Sequence, residues 1–146
     1  PSPAVTPLGS ANTFFSAGEN EDKDGGNHVL VVDDDPSIRK FLTKMLQKNG
    51  FRVRAEQNGF EGLSAMRAQQ FKIVFMDRNM PVMDGLECIK RFRDWENLHY
   101  KKDRSFRQYI AMVSANSYES DIQEGLTSGA DDFLSKPVKM ARLLEA

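Results

Sequence analysis

From His28 onward, short unbroken apolar runs alternate with longer segments whose apolar residues recur every three or four positions. A run that does not alternate with polar residues is buried on both faces, and two-sided burial belongs to strands of a parallel sheet covered by helices. The runs predict strands at about 28–33, 51–56, 71–76, 109–114 and 132–134. The spaced segments predict helices at about 36–49, 59–69, 85–95, 118–128 and from 138 to the end. Right-handed crossovers are nearly obligatory between such units, so the class is α/β: a doubly wound, five-stranded parallel sheet with helices on both faces.

Local chemistry agrees with these boundaries. Pro36 follows Asp35 at a first-turn position, and Gly50 closes a helix whose core face is Ile38, Phe41, Leu42, Met45 and Leu46. Gly129 ends the fourth helix, and Pro137 separates the last strand from the last helix. The segment 96–108 (ENLHYKKDRSFRQ) is longer than the ~2 to 6 residues usual for such a connection, which predicts an inserted surface loop. Its Lys101, Lys102, Arg104 and Arg107 then form a solvated basic run. Residues 1–27 hold three prolines and four glycines without hydrophobic periodicity and are expected to be a tail or linker, in which Phe14 and Phe15 are the one apolar spot able to dock back.

Composition narrows the function classes. A chain of 146 residues suits one domain beyond the tail, and a net charge of -1 offers no basic footprint for nucleic acid. The single cysteine, Cys88, excludes an internal disulfide, fits a reducing compartment, and reads as a small buried hydrophobe on its helix. No apolar run approaches the ~20 residues that span a bilayer, and the N-terminus lacks the basic and apolar regions of a secretory signal. A first residue other than Met is what an excerpt of a longer protein would show.

In open α/β sheets the site lies beyond the carboxyl ends of the strands. There the first strand delivers Asp33, Asp34 and Asp35, the third Asp77, the fourth Ser114 and the fifth Lys136. Converging carboxylates raise one another's pKa unless a cation neutralises them, and without histidine or cysteine ligands a hard ion with oxygen ligands, Mg²⁺, fits best. A lysine in that set makes sense if a phosphoryl group must be held, with Ser114 adding a hydrogen bond and a carboxylate serving as nucleophile. Asp35 is expected to act mainly as the cap of its helix, Phe133 as a core aromatic, and Gly85 as the residue permitting a tight turn in the loop after Asp77. His28 begins a strand and His99 falls in the insert, so neither joins this set.

Four stretches, VLVVDDDPSIRKFL (29–42), IVFMDRNMPVMDG (73–85), AMVSAN (111–116) and GADDFLSKPV (129–138), resemble the receiver domain of two-component response regulators. The resemblance covers 28–146 and implies a flavodoxin-like sheet of order 2-1-3-4-5. It implies that Asp77 is the phosphoacceptor, that Asp33 and Asp34 hold Mg²⁺ with Asp77 and the backbone carbonyl of Asn79, and that Lys136 pairs with the phosphoryl group. Ser114 matches the switch hydroxyl, Phe133 the aromatic that turns inward, and the side chains of Asn79 and Asn116 match positions that tune hydrolysis of the aspartyl phosphate. The implied donor is a phosphohistidine on a histidine kinase or histidine phosphotransfer protein, and the implied consequence is a changed surface on the fourth helix, fifth strand and fifth helix, with phosphorylation-dependent homodimerisation as one outcome.

The upstream tail, the insert, the wording MDRNMPVMDG and the lack of an output domain after Ala146 resemble receivers at the C-terminus of hybrid sensor kinases. That parent would place a cytoplasmic domain in a protein able to be membrane-anchored, with no nucleic-acid or membrane contact by the domain itself. Two competing readings stay open on the residues alone: an Mg²⁺-dependent phosphohydrolase with an Asp nucleophile, and an unphosphorylated scaffold that keeps the fold. The first leaves Asp77 unexplained and has no length for a substrate-selective cap; the second would be favoured by loss of a site residue, and all are present.

Overall fold

Three strands carry the centre of the molecule because their side chains are apolar on both faces. In the computed structural model, which describes residues 26–101, 103–116 and 118–139, these are β1 (His28–Val32), β3 (Ile73–Asp77) and β4 (Ile110–Ser114). They are flanked by β2 (Arg52–Glu56) and β5 (Asp132–Ser135), and all pairings are parallel in the order β2-β1-β3-β4-β5, as expected. The helices between them are α1 (Pro36–Lys48), α2 (Gly59–Ala68), α3 (Gly85–Tyr100) and α4 (Glu119–Ser128). The expected helix from 138 to the end, Phe14, Phe15, Lys102 and nearly all of the tail lie outside the described residues.

The period-two alternation of each strand divides the core in two. Leu30, Val32, Val74, Met76, Ile110 and Met112 face α2 and α3, meeting Leu63, Met66, Cys88, Ile89 and Phe92. Val29, Val31, Phe75, Ala111 and Val113 face the other way, onto Leu42 and Leu46 of α1. Helices therefore cover both faces. Asp35 caps α1 as expected, accepting from the Ser37 and Ile38 amides at 2.8 and 3.4 Å, ahead of Pro36.

Phe41 departs from the expected core face and is 52% exposed. At 100° per residue it sits roughly 85° from the centre of the stripe formed by Ile38, Leu42, Met45 and Leu46, outside the half-width of a core-facing stripe. A second departure is the length of α3. The buried positions Cys88, Ile89 and Phe92 continue to Glu96, and the helix runs to Tyr100, five residues past the expected end. Glu96 is a polar residue in an apolar register, and it is buried because it is fully partnered: Oε1 accepts from Arg93 Nη1 at 2.8 Å and Oε2 from the Gln108 amide at 2.7 Å.

The segment 96–108 is consequently no simple surface loop. Its first part is helix, a short 3-10 turn follows at Arg104–Phe106, and Tyr100 stacks on Phe106 with centroids 4.6 Å apart. Gln108 is buried, its side chain donating to Phe71 O at 2.8 Å and accepting from Phe71 N at 3.0 Å. Arg107 is no solvated residue either: with Arg93 it brackets Asp131, whose Oδ2 also accepts from the Ile110 amide at 2.9 Å. The excess length is spent fastening the start of β4 to the end of α3, at the sheet edge opposite the acidic residues. His99, expected in the insert, rides on α3 and stacks on Trp95.

Candidate functional site

Parallel strands with aligned register end together, so their following residues gather at one edge. Asp33 and Asp34 follow β1, Asp77 ends β3, Ser114 ends β4 and Lys136 follows β5. The expected residues are thereby brought to one place from four strands. Carboxylate oxygens of Asp33, Asp34 and Asp77 all lie within 4.8 Å of one another. Lys136 Nζ lies 3.0 Å from Asp77 Oδ1 and 3.3 Å from Asp33 Oδ2, bridging the two buried acids, while Asp34 is exposed.

Each group is held by its backbone surroundings. Asp33 Oδ1 accepts from the Asp35 amide at 2.9 Å, and Asp33 O accepts from Arg39 Nη1 at 2.8 Å. Arg39 is a support that sequence reasoning did not single out; its one signal was a cation in the first turns of the helix beginning beside Asp33. The Asn79 amide donates to Asp77 Oδ1 at 3.4 Å. Ser114 is fully buried, its Oγ accepting from the Asn116 amide at 3.1 Å, which uses a lone pair and leaves the hydroxyl proton available. The Lys136 amide donates to Ser114 O at 2.8 Å and so links the last two strand ends. Asn79 and Asn116 side chains are exposed at the rim.

Phe133 is half-buried, paired in register with Met112 and packed against the α2 and α3 core. Its ring also crowds α4: a Cβ added at Gly125 would meet Phe133 Cδ2 at 3.1 Å. Gly85 is required for a reason other than the expected turn. The left-handed residue of that loop is Val82 (φ 72°), whereas a Cβ at Gly85 would come within 2.3 Å of Asp77 O. The start of α3 is pressed against the end of β3, with the Gly85 amide donating to Arg78 O at 2.9 Å.

Burial is the largest influence on the Asp77 carboxyl and raises it; the Lys136 hydrogen bond pulls it down and the Asp33 charge adds to the rise, leaving it at about 6. Burial works to lower the Lys136 ammonium, but its hydrogen bond to Asp77 and the charges of Asp77 and Asp33 outweigh it and leave the group above its ordinary value. The site is therefore a carboxylate able to ionise near neutrality beside an ammonium. Its remaining donors are oxygens only, and the spread of the three carboxylates fits a hard divalent cation rather than zinc.

Residues 29–146 match the response regulator receiver domain. The chain belongs to this family. The receiver is 36% identical over 119 residues to hybrid signal transduction histidine kinase A of Dictyostelium discoideum, covering 81% of this chain and 5% of that protein. Among solved structures it resembles the Vibrio cholerae chemotaxis protein CheY4 (32% identity, TM-score 0.70, 81% of this chain and 92% of that one). It also resembles the receiver domain of Saccharomyces cerevisiae Ssk1 in co-crystals with the histidine phosphotransfer protein Ypd1 (28% identity, TM-score 0.74, 81% and 83% covered). The chain is a receiver domain of two-component signalling, with relatives among hybrid histidine kinases. No helix among the described residues is long and apolar enough to cross a membrane.

Proposed function

We propose that Asp77 is the phosphoacceptor of this receiver and takes its phosphoryl group from a phosphohistidine on a histidine kinase or histidine phosphotransfer protein. The observation that carries this reading is the buried Asp77 carboxylate held 3.0 Å from Lys136 Nζ, with Asp33 and Asp34 beside it. In the step, an Asp77 carboxylate oxygen attacks phosphorus in line, the P–N bond to the donor imidazole breaks, and the imidazole nitrogen takes the electron pair. Lys136 balances charge on the phosphoryl oxygens, and the Ser114 hydroxyl donates a hydrogen bond to one of them. Phe133 follows Ser114 by turning inward, which alters the surface around α4 and β5 as a population shift.

Asp33, Asp34, Asp77 and the backbone carbonyl of Asn79 would hold Mg²⁺, which when bound would supply positive charge to offset the carboxylates and the incoming phosphoryl group. Attack of water on phosphorus breaks the P–O bond to Asp77, whose oxygen takes the electron pair, and releases inorganic phosphate, with the side chains of Asn79 and Asn116 at the rim setting the rate. The receiver unit is 28–146 with 1–27 as a linker, and the parent is a hybrid sensor kinase whose receiver works in the cytoplasm, where phosphohistidine is made from ATP. The resemblance to a receiver solved with its phosphotransfer protein supports the choice of donor.

Intact mass after incubation with acetyl phosphate, with and without Mg²⁺, tests the reading on the wild type and Asp77→Asn. One labile phosphoryl group that needs both Mg²⁺ and Asp77 is expected. Full labelling of Asp77→Asn would overturn the assignment, and multiple turnover of varied phosphoesters would favour a phosphohydrolase.

A further inference from the structure

We propose that Arg78, the residue directly after the acceptor, is a latch that holds the middle of α4, at Asp121 and Glu124, in its resting position. Its backbone is pinned on both sides: the amide donates to Val113 O at 2.9 Å and the carbonyl accepts from the Gly85 amide at 2.9 Å. The base of the side chain is therefore fixed relative to Asp77. The guanidinium reaches across to α4, where Nη2 donates to Glu124 Oε1 at 2.5 Å and Nη1 lies 3.8 Å from Asp121 Oδ1. Asp121 and Glu124 are three residues apart and share one helix face, so a single planar cation spans a turn of α4.

The rest of α4 offers little to hold it. Its cap residue, Tyr118, makes no side-chain hydrogen bond to the helix, and among its described residues only Gly125 and Ser128, both in the second half, are buried. Tyr118 is 75% exposed. Arg78 is only 16% exposed and Asp121 17%, so that longer contact is partly withdrawn from solvent and less screened, while the shorter one reaches Glu124, which is 59% exposed. Arg78 Nε is buried and has no hydrogen-bond partner among the described residues, so the grip of the guanidinium passes through its tip to α4. The hold comes from charge at Asp121 and Glu124 and from the close glycine approach of the next residue, Gly125, against Met112 and Phe133.

The latch of the resting state stands on this geometry alone; its release by a phosphoryl group deepens the receiver reading and rests on it. Once Asp77 is an acyl phosphate, added negative charge one residue away competes with Asp121 and Glu124 for the guanidinium, and α4 loses its tie.

Hydrogen exchange of α4 amides tests the latch in the wild type, Arg78→Met and Glu124→Gln with Asp121→Asn, without phosphodonor and with acetyl phosphate plus Mg²⁺; intact mass on the same samples reports independently on the acceptor. Arg78→Met removes the charge and keeps much of the stem, and the α4 substitutions keep the size of the exposed Glu124 and the mostly buried Asp121, so at least one variant retains the fold. The expected result is α4 exchange about tenfold faster in both variants without phosphodonor, with no further gain when the two are combined and no change in β1 or α1. Phosphorylated wild type is expected to approach the variants' α4 rate. Unchanged α4 exchange in folded Arg78→Met overturns the latch whether or not Asp77 accepts phosphate, and additive effects in the combined variant overturn the pairing.

Discussion

Replacing Asp77 with Asn should alter how stability depends on pH more than it alters stability at any one pH. The folded carboxyl is raised from the ordinary 3.8 to about 6, chiefly by burial. At about 1.4 kcal/mol for each tenfold change in proton affinity, that rise corresponds to about 3 kcal/mol between the two protonation states. Because the folded value lies above the unfolded one, the fold binds the proton more tightly. The stability this contributes is fully present below pH 3.8 and is lost as the pH climbs through about 6. Asn carries no titrating proton, so the unfolding free energy of Asp77→Asn minus that of the wild type should rise by about 3 kcal/mol between about pH 4 and pH 7.

The pull of Lys136 on the ionised carboxylate is already contained in the value of about 6, so the rise needs no separate allowance for the lost contact. Urea denaturation followed by fluorescence of Trp95, the only tryptophan, gives both unfolding free energies when repeated across the pH range in EDTA. Mg²⁺ should stabilise the wild type increasingly above pH 6 and Asp77→Asn far less, by binding the native state alone. Parallel pH profiles for the two proteins would refute the claim that burial raises this carboxyl.

Lys136→Met should move the Asp77 titration above its present value, because the hydrogen bond and charge that hold it down are gone; carboxyl carbon shifts in NMR follow it directly, and an unmoved titration would contradict the bridge. Gly85→Ala should cost about 1 to 3 kcal/mol and slow phosphoryl uptake, since the new Cβ collides with Asp77 O; thermal melting and acetyl phosphate labelling read the two effects. Glu96→Ala should cost about 1 to 3 kcal/mol by leaving the buried Gln108 amide without its acceptor, Arg93 keeping Asp131 and Gly129 O, with exchange of the Gln108 and Ile110 amides rising first. Phosphoryl uptake by Glu96→Ala should stay near the wild type while the protein is folded, because the network lies at the opposite sheet edge.

The layered fold and the membership of the site were legible in the sequence because both follow from short-range signals. Val29–Val32, Ile73–Met76 and Ile110–Val113 are apolar on both faces whatever packs on them, and the alternation of strand and helix then leaves parallel pairing as the outcome. Once parallel, the strands deliver Asp33, Asp77, Ser114 and Lys136 to one edge without any knowledge of side-chain contacts. Asp35 before Pro36 and Gly50 after Lys48 are caps decided within a turn of helix.

What the tertiary structure decided are the cases in which a residue's environment comes from far along the chain. Glu96 interrupts an apolar stripe and shortens the predicted helix, yet it is buried because Gln108, twelve residues on, supplies an amide and Arg93 a cation. Gly85 is needed because the Asp77 carbonyl occupies the space of a Cβ, not because the turn demands a left-handed residue. Arg78 looks like any polar loop residue until α4 brings Asp121 and Glu124 within its reach. Periodicity and caps are written in neighbouring residues and survive in the sequence, whereas the pKa of Asp77, the tie from Arg78 and the burial of Glu96 depend on dielectric and distance between segments, which exist only after the sheet has brought them together.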